Sequence, residues 1–558
     1  MRAQIGCGGL GHRGAGRIER MTTDATGATG ATGADEREGS EAAPKVGVGG
    51  GVARLPLLAL VFIAGVVSLA IEMCGPRLMA PYFGTSQIIW ATQIGFTLLY
   101  LSLGYFIGGR IADRYPRAEV VCGITAVAAL ATGLIPLISR SVLDWSVGGM
   151  TNANPSVFIS SLIAVNLLFA VPTILLGMVS PFAIRLTVEQ VGSAGRSAGS
   201  LYALSTLGSI IGAFLPALVL IPAWGVRNTL YAACIVLLVA SVWGLRLRAR
   251  AVSVALGVLL LVPMFAQGPL KSRPGLIYEQ ESLYNYIQVV READGTHDLI
   301  LNEGAGAIHS KYHPDRVLFG SSWYAEYLLM APYFNQGFTP DKLKRIAIVG
   351  LAGGTLARQY TAAYGPIAVD GVEIDPDIVD VGRRYFGMDE SNLNVYLGDG
   401  RTFMRTTQQT YDVVMVDAFQ QPYMPFHLTT REFLEEIKAR LSPTGVVTFT
   451  TGHTCTDYRL AQAFVNTLSQ VFPSVYTFDV PGTLNTELIA TMQPTTLSTF
   501  RENLLNIPTD TMLGTVADEA LQVMKVATPE RDGIVFSDDR APVEQLTDQL
   551  ILSYIRCR

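Results

Sequence analysis

Apolar runs of near-membrane length recur along the chain from Leu55 to Gln267 and then stop. Stretches at about 55–74, 86–109, 118–138, 156–180, 200–222, 228–245 and 251–267 each approach the roughly 20 residues that carry a helix across ~30 Å of hydrocarbon. The last of them is the shortest and contains Pro263. Beyond Lys271 the periodicity shortens. Residues 276–310 alternate in strand fashion, with LYNYIQVV and HDLILNE flanking the turn Ala293-Asp294-Gly295-Thr296. From Leu343 strands and helices alternate. RIAIVG, IAVDGVEI, NVYLG, YDVVMVD and GVVTFTT read as strands, and 431–441 and 458–472 carry helical patterns. That alternation predicts a parallel sheet covered on both faces, completed to seven strands by SVYTFDV and ELIATMQ.

The pattern divides the chain into four parts: a low-complexity tail at 1–50, a helical multi-span membrane domain of about seven helices at 51–270, a small β-hairpin domain at 271–340 and an α/β Rossmann-like domain at 341–558. The tail, with its GATGATGATGA tract, buries too little apolar surface to offset ordering entropy and is expected to be disordered; it has no apolar core of the signal-peptide kind, and Met21 is an alternative start. A composition of 49% hydrophobic and 16% charged residues, with mean hydropathy +0.34, is too apolar for one soluble protein. The net charge of −5 gives no sign of nucleic-acid binding. Six cysteines are scattered without CxxC or a histidine at ligand spacing, which supports neither a disulfide framework nor a metal site.

Loop charges suggest an orientation. Arg110, Arg114 and Arg117, then Arg185 and Arg196, then Arg246, Arg248 and Arg250 fall in alternate loops, which places them and the N-terminus in the cytoplasm. Seven full crossings would leave the C-terminal part outside, so 251–267 is expected to lie in the interface or re-enter, keeping that part cytoplasmic. Within the apolar region, Gly208 and Gly212 form a GxxxG pair that lets two helices approach closely, and Glu72 sits near Arg77 at the end of the first span.

The densest chemical signal lies at 345–417. A strand runs into a glycine turn, Gly350-Leu351-Ala352-Gly353-Gly354, where backbone N–H groups can approach a polar ligand without obstruction. The next strand ends in Glu373, 23 positions after Gly350, where a carboxylate can accept from both hydroxyls of a ribose. Asp399, followed by Gly400, and Asp417 end two further strands on the same edge of the sheet, where open α/β folds bind ligands. No phosphate-binding lysine follows the glycines. A nucleoside-bearing cofactor is the expected ligand.

The segment from about 276 to 550 resembles spermidine synthases, the polyamine aminopropyltransferases, on a methyltransferase-type Rossmann sheet. The resemblance rests on ES-LYNYI (281–287), SSWYAEYL (321–328), VGLAGGT (349–355), VEID (372–375), GDGR (398–401), VDAF (416–419), PFHLTTREF (425–433) and FSDDRAPVEQL (536–546). The whole chain resembles bacterial proteins that fuse such a domain to a multi-span membrane domain. GGRIADRYPR at 108–117 also resembles a loop of major facilitator transporters.

The resemblance implies a membrane-anchored transferase that moves an aminopropyl group from decarboxylated S-adenosylmethionine to a diamine such as putrescine, without a metal. It implies Glu373 on the ribose, Asp399 and Gly400 at the adenine, and Gly350, Gly353, Gly354 and Asn285 along the cofactor. It implies Asp417 as the base that takes the amine's proton, Tyr324 assisting it, and Tyr284, Glu326 and Gln420 on the amine. It also implies a homodimer; membrane lipid is the other expected partner.

Departures from the pattern bear on the substrate. The family's D-S-S-D reads Asp417-Ala418-Phe419-Gln420 here, the acid of its glycine turn is missing, its glutamine is Asn285, and the histidine of its Y-H-E is Ala325. These losses leave ordinary S-adenosylmethionine, and hence a methyltransferase, open, along with a non-enzymatic transporter or sensor. His427, His309 and His313 read as loop residues, and Asp538 and Asp539 as turn caps.

Overall fold

The computed structural model describes residues 54–83, 87–148, 157–188, 194–302, 307–320, 323–419 and 423–554. The tail 1–50 and Gln420 lie outside the described residues. Helices fill the first part: α1 (Arg54–Phe83), α2 (Gln87–Arg114), α3 (Ala118–Gly148), α4 (Val157–Gly177), α5 (Val179–Thr187), α6 (Ala194–Leu215), α7 (Ile221–Ser241) and α8 (Leu247–Leu261). α2 stops where Pro116 disfavours helical backbone at Tyr115.

Among the described residues, six helices are long and apolar enough to cross a membrane, against seven spans expected from the sequence. The difference is one of continuity. The stretches 200–222 and 228–245 belong to one helical run, Ala194–Gly244, of 51 residues. Straight, it would measure about 77 Å, more than twice the hydrocarbon thickness. Gly225, at φ 80° and ψ 164°, breaks it. α6 runs alongside α1 in the same direction, with Gly208 against Phe62 and Gly212 against Val66. α7 returns, from Val226 beside Glu281 to Ser241, whose hydroxyl lies 2.8 Å from Thr125 Oγ1 near the start of α3.

α8 does not turn back on itself as a re-entrant segment, one of the two arrangements expected for 251–267. Its first turn holds Arg250 against the carbonyls of Trp243 and Leu245, and the chain beyond it reaches Gln267, whose amide donates to Asn228 Oδ1. It therefore runs the length of α7 in reverse. One end of the bundle carries the pairs Arg185–Asp113 and Arg246–Glu119. The opposite end meets the rest of the chain. There Arg77 donates to the carbonyls of Ser282 and Leu283, Lys271 Nζ donates to Pro81 O at 2.8 Å, and Arg227 donates to Gly268 O at 2.7 Å.

Beyond the helices, β1 (Leu276–Glu281), β2 (Tyr286–Arg291), β3 (His297–Leu301) and β4 (Ser310–Tyr312) form an antiparallel sheet in sequence order, larger than one hairpin. After the short α9 (Tyr324–Leu328) the α/β unit begins: β5 (Arg345–Val349), α10 (Thr355–Tyr364), β6 (Ala368–Glu373), α11 (Pro376–Tyr385), β7 (Leu393–Leu397), α12 (Gly400–Thr406), β8 (Tyr411–Val416), α13 (Arg431–Lys438), β9 (Leu441–Gly452) and α14 (Arg459–Leu468). It closes with β10 (Ser474–Asp479), β11 (Asn485–Thr491), α15 (Leu497–Leu504), α16 (Met512–Val523), β12 (Met524–Val526) and α17 (Val543–Tyr554).

The large sheet has the order β12-β10-β11-β9-β8-β5-β6-β7, parallel from β9 to β7 and antiparallel beyond β9. The eighth strand, β12, has three residues, too few for an alternation to show in sequence. Successive residues of β5 alternate between two cores. Ile346 and Ile348 pack with α10, α15 and α16, while Ala347 and Val349 pack with α12, α13, α14 and α17. Both faces are thus buried, as parallel sheets require.

Close helix contact in the bundle rests on glycines. A Cβ on Gly212 would lie 2.0 Å from Val66 O, and one on Gly208 would lie 2.2 Å from Phe62 O. Gly212→Leu is expected to destabilise the chain by about 1–3 kcal/mol through forced separation of α1 and α6. Thermal unfolding in detergent checks this against Gly199→Leu, where nothing lies within 4 Å; equal midpoints for both variants would count against the packing argument.

Candidate active site

The strands end along one edge of the sheet, and there a cavity of about 670 Å³ opens between that edge, the β1–β4 sheet and α17. Parallel pairing of β5 with both β6 and β8 brings the glycine turn, Glu373 and Asp417 side by side. Gly350 is obligatory. At φ 92° a Cβ would lie 2.4 Å from Asp417 O, so only glycine lets the two strand ends approach. Ala352 also takes positive φ, at 50°, and its N–H donates to Glu373 Oε2 at 2.9 Å.

Of the residues expected at a cofactor, Gly350, Glu373, Asp399, Gly400 and Asn285 line the cavity. Gly353 and Gly354 do not. Their backbone faces Ser310 and Met388 instead, and the Gly353 N–H donates to Ser310 Oγ. Glu373 is nearly enclosed. Its carboxylate accepts from the N–H groups of Ala352, Ile374 and Asp375, yet burial pushes its pKa up to about 7. Asn285 is engaged elsewhere: its amide donates to Asp375 Oδ2 at 2.8 Å and accepts from Asn302 at 2.6 Å.

Asp399 caps α12 by accepting from Thr402 N–H at 2.8 Å, and its other oxygen lies 2.8 Å from His427 Nε2. These donors outweigh burial and hold its pKa below the usual carboxylate value. His427 is therefore a cavity residue, not merely a packed loop side chain. Arg401 fixes its backbone by donating to His427 O, while binding Glu436 and Asp538. Asp538 thus anchors Arg401 and accepts from Thr430 Oγ1, a larger part than turn-capping. His309, read as a loop residue, also lines the cavity; its Nε2 is buried without a partner among the described residues and burial lowers its pKa to about 4. His313 is a surface residue bonded to Asp294 O.

Asp417 and Tyr324 come together. The tyrosine hydroxyl donates to Asp417 Oδ2 at 2.7 Å across 93 positions of sequence. Burial raises the Asp417 pKa to about 6, and hydrogen bonds from Tyr324 and Thr450 hold it from rising further. Tyr284 lines the cavity. Glu326 does not reach it: buried on α9, its carboxylate accepts from the N–H groups of Phe319 and Gly320 and serves the loop before the helix.

One acid escaped the sequence reading altogether. Glu487 on β11 stands opposite Thr450 of β9, fully buried, with Oε2 2.8 Å from Thr450 Oγ1. Burial and the neighbouring Asp417 raise its pKa well above the ordinary value. Burial and mutual repulsion thus disfavour a second negative charge beside the first. A hydroxyl has one hydrogen; with Asp417 ionised, Thr450 donates to it, and protonated Glu487 donates to Thr450 Oγ1. A glutamate amid ELIATMQ carries no local signal; only the antiparallel register of β9 and β11 brings it to Asp417.

These features define a class: a doubly wound α/β domain with a cluster of acids lining a cavity at the carboxyl edge of its sheet. The spermine/spermidine synthase domain matches residues 322–502. A probable polyamine aminopropyl transferase of Bifidobacterium longum is 29% identical over 336 residues, covering 56% of this chain and 72% of that protein. A polyamine aminopropyltransferase of Vibrio vulnificus is 32% identical over 225 residues, covering 39% and 72%. A probable spermidine synthase structure from Corynebacterium glutamicum aligns with TM-score 0.38 and 17% identity over 48% of this chain and 97% of that one. The chain belongs to the spermine/spermidine synthase family and is an enzyme of the transferase class.

Glu487 supplies a test by linkage. An acid whose folded pKa is raised contributes stability that is present below its unfolded value of 4.5 and lost as pH rises. Each pH unit in that window costs about 1.4 kcal/mol for a group kept protonated in the fold. Glu487→Gln removes that loss, so its thermal midpoint should fall less steeply than wild type between pH 5 and 7.5. Parallel curves would contradict the shared-proton description.

Proposed function

We propose that this protein is a membrane-embedded aminopropyltransferase acting on decarboxylated S-adenosylmethionine and an amine. The observation that carries this reading is the half-buried Asp417–Tyr324 pair at 2.7 Å, opening into the same cavity as Glu373 and Asp399. Glu373 would hold the ribose hydroxyls and Asp399, kept ionised by its donors, the adenine edge. The turn from Gly350 to Ala352 leaves room for the donor's chain.

The chemistry asks little beyond placement, because a sulfonium is already an activated leaving group. The acceptor arrives as an ammonium, is drawn to ionised Asp417, and gives it a proton. The freed lone pair forms the new N–C bond to the aminopropyl carbon as the C–S bond breaks. Its electron pair returns to sulfur, leaving neutral methylthioadenosine. The product leaves as a secondary ammonium, and Asp417 returns its proton to water, so each turnover releases one proton. Tyr324, donating to Oδ2, fixes which carboxylate oxygen faces the amine. The base must be ionised, so activity should rise with pH through about 6. A pair of carboxylates with only one charge suits proton abstraction, since Glu487 stays neutral while Asp417 takes and releases the proton.

Asp417→Asn should lower methylthioadenosine release by about 10²–10⁴-fold, with donor binding to the full chain in detergent unchanged by calorimetry. Turnover close to wild type would remove Asp417 from the reaction.

The membrane reading rests on the length and composition of the helices. Arg110, Arg114 and Arg117, with Arg185 and Arg246, gather at the bundle end away from the α/β unit. By the positive-inside rule that end faces the cytoplasm, which puts the enzyme on the outer side rather than the cytoplasmic side favoured from sequence. Ser498→Cys, at an exposed position of α15, should then react with an impermeant maleimide in intact cells, above the wild-type background. Labelling only after permeabilisation would reverse the orientation.

A further inference from the structure

The cavity is larger than the cofactor edge of the sheet, and its far part differs in character. Leu460 and Phe464 of α14, Leu484 before β11, and Val543, Leu550 and Ile551 of α17 line it. The positions 543, 547, 550 and 551 follow an i, i+4, i+7, i+8 spacing, so one stripe of α17 faces the space. Thr547 on that stripe spends its hydroxyl on Val543 O at 2.9 Å. Thr451, Thr483 and Asn485 add neutral polar groups beside this wall, but no carboxylate among the described residues.

This apolar part adjoins the base. β9 leads from Thr450, bonded to Asp417, to Gly452 two residues on, about 7 Å along the strand. A methyl group on Gly452 would lie 3.8 Å from Leu484 O and 4.0 Å from Leu550 Cδ2. Any chain attached to an amine at Asp417 and following β9 therefore runs onto Leu484 and Leu550. Among the described lining residues the only carboxylates are Glu373, Asp399 and Asp417. The first two stand at the nucleoside end. Asp457, near the apolar wall, is occupied by Arg459, and Asp479 by Thr486 and Tyr458. His453 lines the cavity but stacks on Tyr458 and shares its Nδ1 with Thr486 Oγ1.

Resting on the transferase reading above, we propose that the acceptor is an amine carrying an apolar chain rather than a free diamine. Asp417 can neutralise one ammonium. A second ammonium at the far end of a diamine would be pressed against leucine, phenylalanine and isoleucine with no carboxylate to pair with among the described lining residues, which is unfavourable. A hydrocarbon chain in the same place gains from leaving water. The bond-making step is unchanged; only the group on the attacking nitrogen differs.

The test uses the full chain in detergent with decarboxylated S-adenosylmethionine, following methylthioadenosine. Pentylamine and putrescine have the same number of heavy atoms and differ only in the terminal group. Pentylamine is expected to be favoured in kcat/KM by tenfold or more, and the value should rise about fourfold per methylene from propylamine to hexylamine. Putrescine favoured by tenfold or more, or no dependence on chain length, would overturn the apolar subsite while leaving the transferase reading intact. No turnover with any amine would overturn both. Leu484→Glu adds a carboxylate at a surface-accessible point of that wall and should shift the preference toward putrescine by tenfold or more. An unchanged ratio in that variant would also count against the subsite.

Discussion

Burial of carboxylates at the carboxyl edge of a parallel sheet is the constraint on which the rest of this structure turns. Glu373 and Glu487 are buried and Asp417 is half-buried at the cavity wall, and loss of hydration is the first cause that raises each pKa. The fold tolerates them because every one has donors or a shared proton. Three backbone N–H groups serve Glu373, Tyr324 and Thr450 serve Asp417, and Glu487 shares the Thr450 hydroxyl from the other side by donating its own proton to it. An acid that is reluctant to ionise is also one that readily takes a proton near neutral pH, so the strain of burial and the capacity for base chemistry have one origin.

That edge is not isolated from the helical bundle. Arg77 of α1 donates to the carbonyls of Ser282 and Leu283, Ser282 Oγ donates to Asp375 Oδ2, and the Asp375 N–H donates to Glu373. On the other side of β1, Glu281 accepts from Val226 N–H at the break in the long helical run, and burial lifts its pKa to about 7. The loop between β1 and β2 that carries Tyr284 and Asn285 is thus held by the bundle on one side and by the nucleoside edge on the other. The bundle fixes the wall of the cavity as well as giving it an address.

Much of the fold was legible in the sequence. The alternation of strands with helices, the glycine turn, and acids at three strand ends follow from local pattern, since strand ends and turns are written in contiguous residues. The outlying strand β12 was not, because three residues cannot show a period. Gly353 and Gly354 illustrate a subtler limit. Their spacing marks a turn correctly, but which glycine faces a ligand depends on Ser310 and Met388 packing behind it. Likewise Glu326 kept its expected place in sequence yet turned its carboxylate to the Phe319–Gly320 backbone.

The sequence by itself determined the two-part character of the chain, the alternation of strands with helices and the placing of acids at strand ends, because apolar length, alternation and short motifs are local. Tertiary structure alone decided that Glu487 shares Asp417's surroundings, that His427 closes on Asp399, and that α8 runs end to end beside α7. It also decided that the far wall of the cavity is built largely from apolar side chains of α14 and α17. Each of these joins residues from separate elements, and the register and packing that bring them within hydrogen-bond or van der Waals reach are set by the whole core rather than by any stretch of chain.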